Sequence, residues 1–199
     1  MLLHGRGADE LDLAPLLDAL DPEQRHLGLL PRGPLSLPPG GQHWYVVPRV
    51  GYPDPNTFLP TFSALSAWLD TTLADRGVGA DHAVLGGFSQ GAVMAYSLGL
   101  ATGRVRPAAL LAFSGFLPRV EGFEVELESR RGFPVSIAHG TLDPIIGVDF
   151  GRDVLAILDD LNIAKAHWCG LSMGGMVGQW LGANAPDRFG KIILSNTTC

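Results

Sequence analysis

Cysteine is nearly absent from this chain: Cys169 and Cys199 are the only two in 199 residues. Two cysteines cannot build the disulfide framework of a small secreted fold, so the expected compartment is the cytoplasm. No cluster of Cys and His has metal-ligand spacing, and no metal or other cofactor is expected. No apolar run approaches the ~20 residues that cross a bilayer. The start, Met1-Leu2-Leu3-His4-Gly5, has neither the basic residues nor the long apolar stretch of a signal peptide. No membrane partner is expected. Positive charge is also short. Lys and Arg number 14 against 20 Asp and Glu, and the net −6 argues against a nucleic-acid partner. Histidine is missing from the end of the chain, with none after His167. Apolar side chains are plentiful at 46 %, enough for a sizeable core in a chain whose length suits one domain.

The rest is organised around Gly86-Gly87-Phe88-Ser89-Gln90-Gly91. Ala83-Val84-Leu85 leads in as a strand, and Ala92-Val93-Met94-Ala95-Tyr96-Ser97-Leu98 leads out as a helix. Gly87-x-Ser89-x-Gly91 between a strand and a helix is the context of a nucleophile elbow. The turn is so tight that the serine's neighbours must be small. It exposes the hydroxyl and aims helix N–H groups at a developing oxyanion. A second motif of this kind, Gly170-Leu171-Ser172-Met173-Gly174, lies near the end of the chain.

Leu2-Leu3 reads as the end of a strand, turned by His4-Gly5-Arg6-Gly7. Asp9 is placed to cap a helix whose apolar positions are Leu11, Leu13, Leu16, Leu17 and Leu20, with Pro15 kinking it or delaying its start. Leu27-Gly28-Leu29-Leu30 reads as a second strand. Residues 31–56 form a long Pro- and Gly-rich loop with Trp44, Tyr45 and Tyr52. Its aromatic stretch, 43–58, either lines an acyl pocket or packs down on the core. Residues 57–76 form a helix with Phe58, Phe62, Leu65, Trp68, Leu69 and Leu73 on one face. Strands follow at 108–113, 135–138, 166–169 and 192–194, a charged loop at 114–132, and helices at 148–161 and from Ser172 to about residue 183. Alternating strands and helices with continuous apolar strands predict an α/β fold, a mostly parallel, doubly wound sheet with helices on both faces. Ser89, Asp143 and Ser172 then fall just past strand ends, the edge where active sites gather in such sheets.

Residues 1 to about 158 resemble the phospholipase/carboxylesterase family, small α/β-hydrolases that include acyl-protein thioesterases. The resemblance rests on Leu2-Leu3-His4-Gly5-Arg6-Gly7, Gly87-Phe88-Ser89-Gln90-Gly91 and His139-Gly140-Thr141-Leu142-Asp143-Pro144, in that order. It implies a small-molecule ester as substrate, Ser89 as nucleophile and Asp143 as the acid of a triad. It implies an oxyanion hole from the backbone N–H groups of Arg6 and Gln90. From about residue 153 the sequence resembles the 3-oxoadipate enol-lactonases instead, through Asp159-Asp160-Leu161-Asn162-Ile163, Cys169-Gly170-Leu171-Ser172-Met173-Gly174-Gly175 and Ala185-Pro186-Asp187-Arg188-Phe189. That resemblance implies Ser172 as nucleophile. The two elbow regions align without a gap, Ser89 on Ser172 and Leu110-Leu111 on Ile193-Leu194. Because each copy resembles a different family, a join between two hydrolase sequences explains the repeat better than duplication. Residues 1–152 form one segment of that join and residues 153–199 the other.

A triad needs a histidine after its acid, and the loop where the first family carries it is occupied here by the second elbow. His167 lies inside a strand, about 16 Å from Ser172 at ~3.3 Å per residue. His4 and His139 sit at turns where structural roles are common, and His26, His43 and His82 read as surface or loop residues. Four readings stay open: an esterase impaired by the lack of a base, an esterase served by an unexpected histidine or a partner chain, a lactonase using Ser172, and a non-catalytic chimera. Sheet edges left at the first and last strands favour pairing into a homo-oligomer.

Overall fold

The computed structural model describes residues 1–139, 159–160, 163–171, 182 and 186–195. The elements are β1 (Leu2–Leu3), α1 (Ala14–Leu20), β2 (Leu35–Ser36), β3 (Gln42–His43), α2 (Pro55–Ala74), β4 (Val84–Phe88), α3 (Gln90–Leu100), β5 (Ala109–Phe113), β6 (Val135–Ala138), β7 (Ala166–Leu171) and β8 (Phe189–Ser195). Strands β1, β4, β5 and β6 form a parallel sheet in the spatial order β1-β4-β5-β6. Strands β7 and β8 pair in parallel with each other, and β7 lies beside β6. This is the predicted mostly parallel α/β architecture.

The sheet's two faces differ because the period of a strand is two. Leu85, Leu110, Ala112 and Ile137 are buried on one face, under α3. Leu2 and Leu111 point to the other face. There Leu17 and Leu20 of α1 join them around a cavity of about 470 Å³. Helix α3 buries all 11 of its residues and carries no charge, as a helix enclosed on every side must. Its one serine, Ser97, donates from Oγ to Val93 O at 2.7 Å. Gly99 lets α3 lie close to β5, since a Cβ there would stand 2.8 Å from Leu110 Cδ2.

Several expected elements take a different form. Leu27-Gly28-Leu29-Leu30 is not a strand; a single bond, Leu2 N–H to Leu29 O at 2.9 Å, is what Gly28 and the following Pro31 leave of a ladder. Helix α1 starts late, at Ala14, with Pro15 in its first turn, and it buries none of its residues. Asp9 closes a local turn onto Leu11 N–H at 2.9 Å instead of capping it. Leu11 is consequently 69 % exposed. In α2 the buried face runs through Phe58, Leu65, Leu69 and Leu73 as expected, but Trp68 turns out to solvent and Thr61 and Ser66 take buried places. The expected helix at 148–161 lies outside the described residues apart from 159–160, and the helix after Ser172 outside them apart from 182.

Tyr45 and Tyr96 are enclosed in the core, and burial pushes both phenols well above their usual 10. Above about pH 10 the unfolded chain releases protons that the folded one retains, so stability is full below that pH and falls as it rises. The urea midpoint is expected to drop on the alkaline side. The phenolate absorbance of Tyr45 and Tyr96 is expected to appear only as the protein unfolds.

Candidate active site

Ser89 is where strand becomes helix within one residue. Its N–H still donates to Phe113 O of β5 at 2.8 Å, while its carbonyl already accepts Val93 N–H of α3 at 3.2 Å. Serving both ladders forces φ to 54° and ψ to −118°, a left-handed conformation that a side chain rarely adopts. The flanking glycines follow from the same geometry. A Cβ on Gly87 would overlap the carbonyl of Gly91, and one on Gly91 would overlap Leu3 O of β1. The predicted elbow at Ser89 is thus present, with a longer lead-in strand than expected. Ser89 is half-buried, and its hydroxyl has no hydrogen-bond partner among the described residues.

Parallel registers bring several polar residues to one edge. Leu3 pairs with Gly87, Phe88 with Phe113, and Phe113 with Ala138. His4, Ser89, Ser114 and His139 therefore follow the last residues of four neighbouring strands. Ser114 repeats the backbone strain of Ser89, with φ 50° and its N–H on Ala138 O at 2.7 Å. Only the pair Ser114-Gly115 after a strand hinted at it in the sequence. Asp143, four residues beyond His139 in the sequence, lies outside the described residues. So does Ser172, directly after the last residue of β7.

The loop 4–8 is held by β3: Gly7 N–H donates to Gln42 O at 2.8 Å and Gln42 N–H to Ala8 O at 2.7 Å. Arg6 N–H and Gln90 N–H have no backbone acceptor among the described residues. For Gln90 this is the ordinary state of a first-turn helical donor. Unspent N–H donors, one of them on the residue directly after Ser89, are what an oxyanion site needs.

The described histidines are accounted for one by one. His4 is 2 % exposed and uses both ring nitrogens: Nε2 accepts Gly33 N–H at 2.9 Å and Nδ1 lies 2.8 Å from Gly5 O. His43 holds Tyr45 O through Nδ1 at 3.0 Å. His82 precedes β4, at the edge opposite Ser89. His26 is paired with Asp21 at the surface. His167 accepts Lys191 N–H on Nδ1 at 3.0 Å, opposite an irregularity in the β7–β8 ladder. His139 is buried at the end of β6. Among the described residues, no three His, Cys, Asp or Glu side chains form a group that could hold a metal ion.

The aromatic loop reaches the elbow. Trp44 and Tyr45 are buried in the core, and Tyr45 packs edge-on against Phe58 with ring centroids 5.5 Å apart. The loop touches the elbow through Gln90, whose Oε1 accepts Trp44 N–H at 3.0 Å and whose Nε2 donates to Tyr45 O at 2.9 Å. The sequence assigned Gln90 only a backbone role and placed Trp44 in a stretch that either lines an acyl pocket or packs on the core, with no link between the two. A Trp-Tyr pair in a stretch otherwise rich in Pro and Gly was the one available signal.

Residues 1–169 match the sequence profile of the phospholipase/carboxylesterase family. Over 130 residues the chain is 27 % identical to acyl-protein thioesterase 1 of Debaryomyces hansenii, spanning 63 % of this chain and 56 % of that protein. Over 47 residues it is 53 % identical to 3-oxoadipate enol-lactonase 2 of Acinetobacter baylyi, spanning 24 % of this chain and 18 % of that protein. Each match thus covers less than two thirds of the curated relative. The crystal structure of the Bacillus cereus carboxylesterase superposes with a TM-score of 0.70 at 27 % identity, over 92 % of this chain and 86 % of that one. No described helix is long and apolar enough to cross a membrane.

Proposed function

The chain belongs to the phospholipase/carboxylesterase family, and on that premise we propose that it acts on small carboxylic esters with Ser89 as its nucleophile. One observation above all supports this: Ser89 is strained to φ 54° between a strand and a helix, with its hydroxyl unpartnered among the described residues. A serine held there attacks an ester carbonyl from the open edge of the sheet. Negative charge then develops on the carbonyl oxygen, and the N–H groups of Arg6 and Gln90 are the donors assigned to meet it. Asp143 is assigned as the acid that orients and stabilises a protonated histidine.

Turnover by these 199 residues is expected to be slow. His4 has both nitrogens engaged, His82 is at the wrong edge, and His167 is bound across its own ladder. A serine without a base is a poor nucleophile near neutral pH. Binding and an oxyanion hole alone leave about 10³–10⁴-fold acceleration over water in a measured protease. The 53 % identity to an enol-lactonase favours a second reading. In it Ser172 is the nucleophile of a unit spanning residues 153–199, joined to a carboxylesterase-like segment spanning residues 1–152.

Labelling with a fluorophosphonate, followed by peptide mapping, tests the assignment. The label is expected on Ser89, and hydrolysis of p-nitrophenyl acetate is expected to be lost in Ser89→Ala and kept in Ser172→Ala. A label on Ser172 alone would transfer the nucleophile to the second elbow. No label on either serine, with equal background in all three proteins, would leave a non-catalytic join of two hydrolase sequences.

A further inference from the structure

We propose that Trp44 is a positioning residue that cross-braces the two halves of the oxyanion site, fixing Arg6 N–H against Gln90 N–H. The proposal rests on the reading of Ser89 as nucleophile and of these two N–H groups as its donors. The donors come from different stretches of the chain. Gln90 opens α3 after β4, and Arg6 lies three residues beyond the end of β1. The β1–β4 ladder consists of two pairs, Leu2 with Gly86 and Leu3 with Gly87, and stops before either donor. Beyond that point nothing in the ladder sets their separation.

Trp44 spans the gap with two different N–H groups. Its backbone N–H donates to Gln90 Oε1 at 3.0 Å, on the elbow side. Its indole Nε1–H donates to His4 O at 2.8 Å, on the other. The next residue doubles the first link, since Gln90 Nε2 donates to Tyr45 O at 2.9 Å. His4 extends the second link towards Arg6. Gly33 N–H donates to His4 Nε2 at 2.9 Å, so Nε2 is the bare nitrogen and the proton sits on Nδ1, which donates to Gly5 O at 2.8 Å. The His4 ring lies against the indole, centroids 5.0 Å apart. Trp44, His4 and Gln90 are 1 %, 2 % and 5 % exposed, so water does not compete for these bonds. An oxyanion donor works within a few tenths of an ångström, and a displacement of about 1 Å costs on the order of 100-fold in rate. Bonds that lock two loops together to that tolerance act on the rate without touching substrate.

The test is Trp44→Phe, which keeps an aromatic ring in the core and removes Nε1–H with the five-membered part of the indole, alongside Gln90→Met, which cuts the brace at its other end. The readout is the rate of an aryl ester against its thionoester, whose C=S is a poor acceptor for the same donors. A loosened hole slows the oxygen ester selectively. In Trp44→Phe its kcat is expected to fall about 10–100-fold at unchanged KM, the thionoester less, so that their ratio collapses. A parallel fall of both, or an unchanged ratio in a folded variant, would overturn the proposal. Amide exchange in Gln90→Met gives a measure that needs no turnover. Exchange is expected to rise at residues 4–7, across the brace, and to stay constant in β4 and β5. A rise confined to residues 44–46 would overturn the proposal too. Ser89→Ala, run beside them, separates the two readings. If it leaves oxygen-ester hydrolysis unchanged, the nucleophile assignment fails; if it abolishes hydrolysis while Trp44→Phe keeps the ratio, only the brace fails.

Discussion

A Ser89→Gly variant is expected to lose ester hydrolysis to buffer background and, compared with Ser89→Ala, to be harder to unfold. Both substitutions remove the hydroxyl, so both remove the attacking atom. They differ at the backbone. Ser89 holds φ 54° and ψ −118° because its N–H belongs to β5's ladder and its carbonyl to α3. An alanine there keeps the Cβ that makes this region unfavourable, and a glycine does not. Strain of this kind costs on the order of 1–3 kcal/mol, and the entropy glycine adds to the unfolded chain takes back about 0.5–1 kcal/mol. A net gain of about 1 kcal/mol over Ser89→Ala is therefore expected in urea unfolding. At an ordinary helical or strand position the order is the reverse, with glycine the weaker residue. Finding Ser89→Gly less stable than Ser89→Ala would mean that the elbow is not strained, and the main support for Ser89 as nucleophile would go with it.

The elbow was legible because its constraint is local. One strand, one residue and one helix need small neighbours at fixed offsets, and Gly87 and Gly91 supply them. Strand β5 was legible for a related reason: a strand covered on both faces is a continuous apolar run. Misreadings fell where partners far off in the chain decide. The spacing of Leu11, Leu13, Leu16, Leu17 and Leu20 describes an apolar stripe, yet Pro15 delays the helix and little packs on what remains. Trp68 has the right helical spacing and still faces solvent, while Thr61 and Ser66 are buried. Trp44 was legible as an acyl-pocket or core residue, but its bonds were not, since its two partners, His4 and Gln90, are 40 and 46 residues away.

The internal repeat shows how far gapless alignment carries. It predicts that β7 pairs with β8 as β4 pairs with β5, which would set Trp168 opposite Ile193. The strands do pair in parallel, but Trp168 sits opposite Ile192 and Cys169 opposite Ile193. At Ala166, opposite Phe189, the register is two residues off; β8 then spends three residues to Ile192 where β7 spends two to Trp168, which brings the pairing to one residue off. His167 lies at that step, accepts Lys191 N–H, and stands where a Cβ on Gly190 would be 2.9 Å from its ring. A histidine that had the right chain order for catalysis is thus committed to a bulge. Chain order fixed which histidines were worth weighing, and only the ladder decided against this one.

Gly91→Ala is expected to be the most damaging substitution of its size in the described chain, because the atoms in its way cannot move. A Cβ at position 91 would overlap Leu3 O and stand 2.6 Å from His4 O, both backbone atoms. Leu3 is pinned by its pairing with Gly87 of β4, and α3 is pinned by Ser89's bonds to β5, so the strand and the helix can separate only by breaking the sheet. A graded series isolates this cause. At Gly40 nothing lies within 4 Å, and alanine there is expected to be neutral or to stabilise by up to about 1 kcal/mol through the unfolded chain. At Gly86 the nearest atom, 2.9 Å away, is Leu2 Cδ2, the far end of a side chain that can turn aside, while Leu111 Cβ and O at 3.0 and 3.1 Å are tight without overlap, and overpacking of that sort costs about 1–3 kcal/mol. Gly91→Ala should exceed about 4 kcal/mol, a large share of the roughly 5–15 kcal/mol that holds an ordinary domain. Thermal unfolding followed by circular dichroism is expected to rank them Gly40, Gly86, Gly91 in rising damage, the last without a cooperative transition. A Gly91→Ala protein that melts like Gly86→Ala would show that β1 and α3 can separate without cost, and with them the two donors proposed to face the oxyanion.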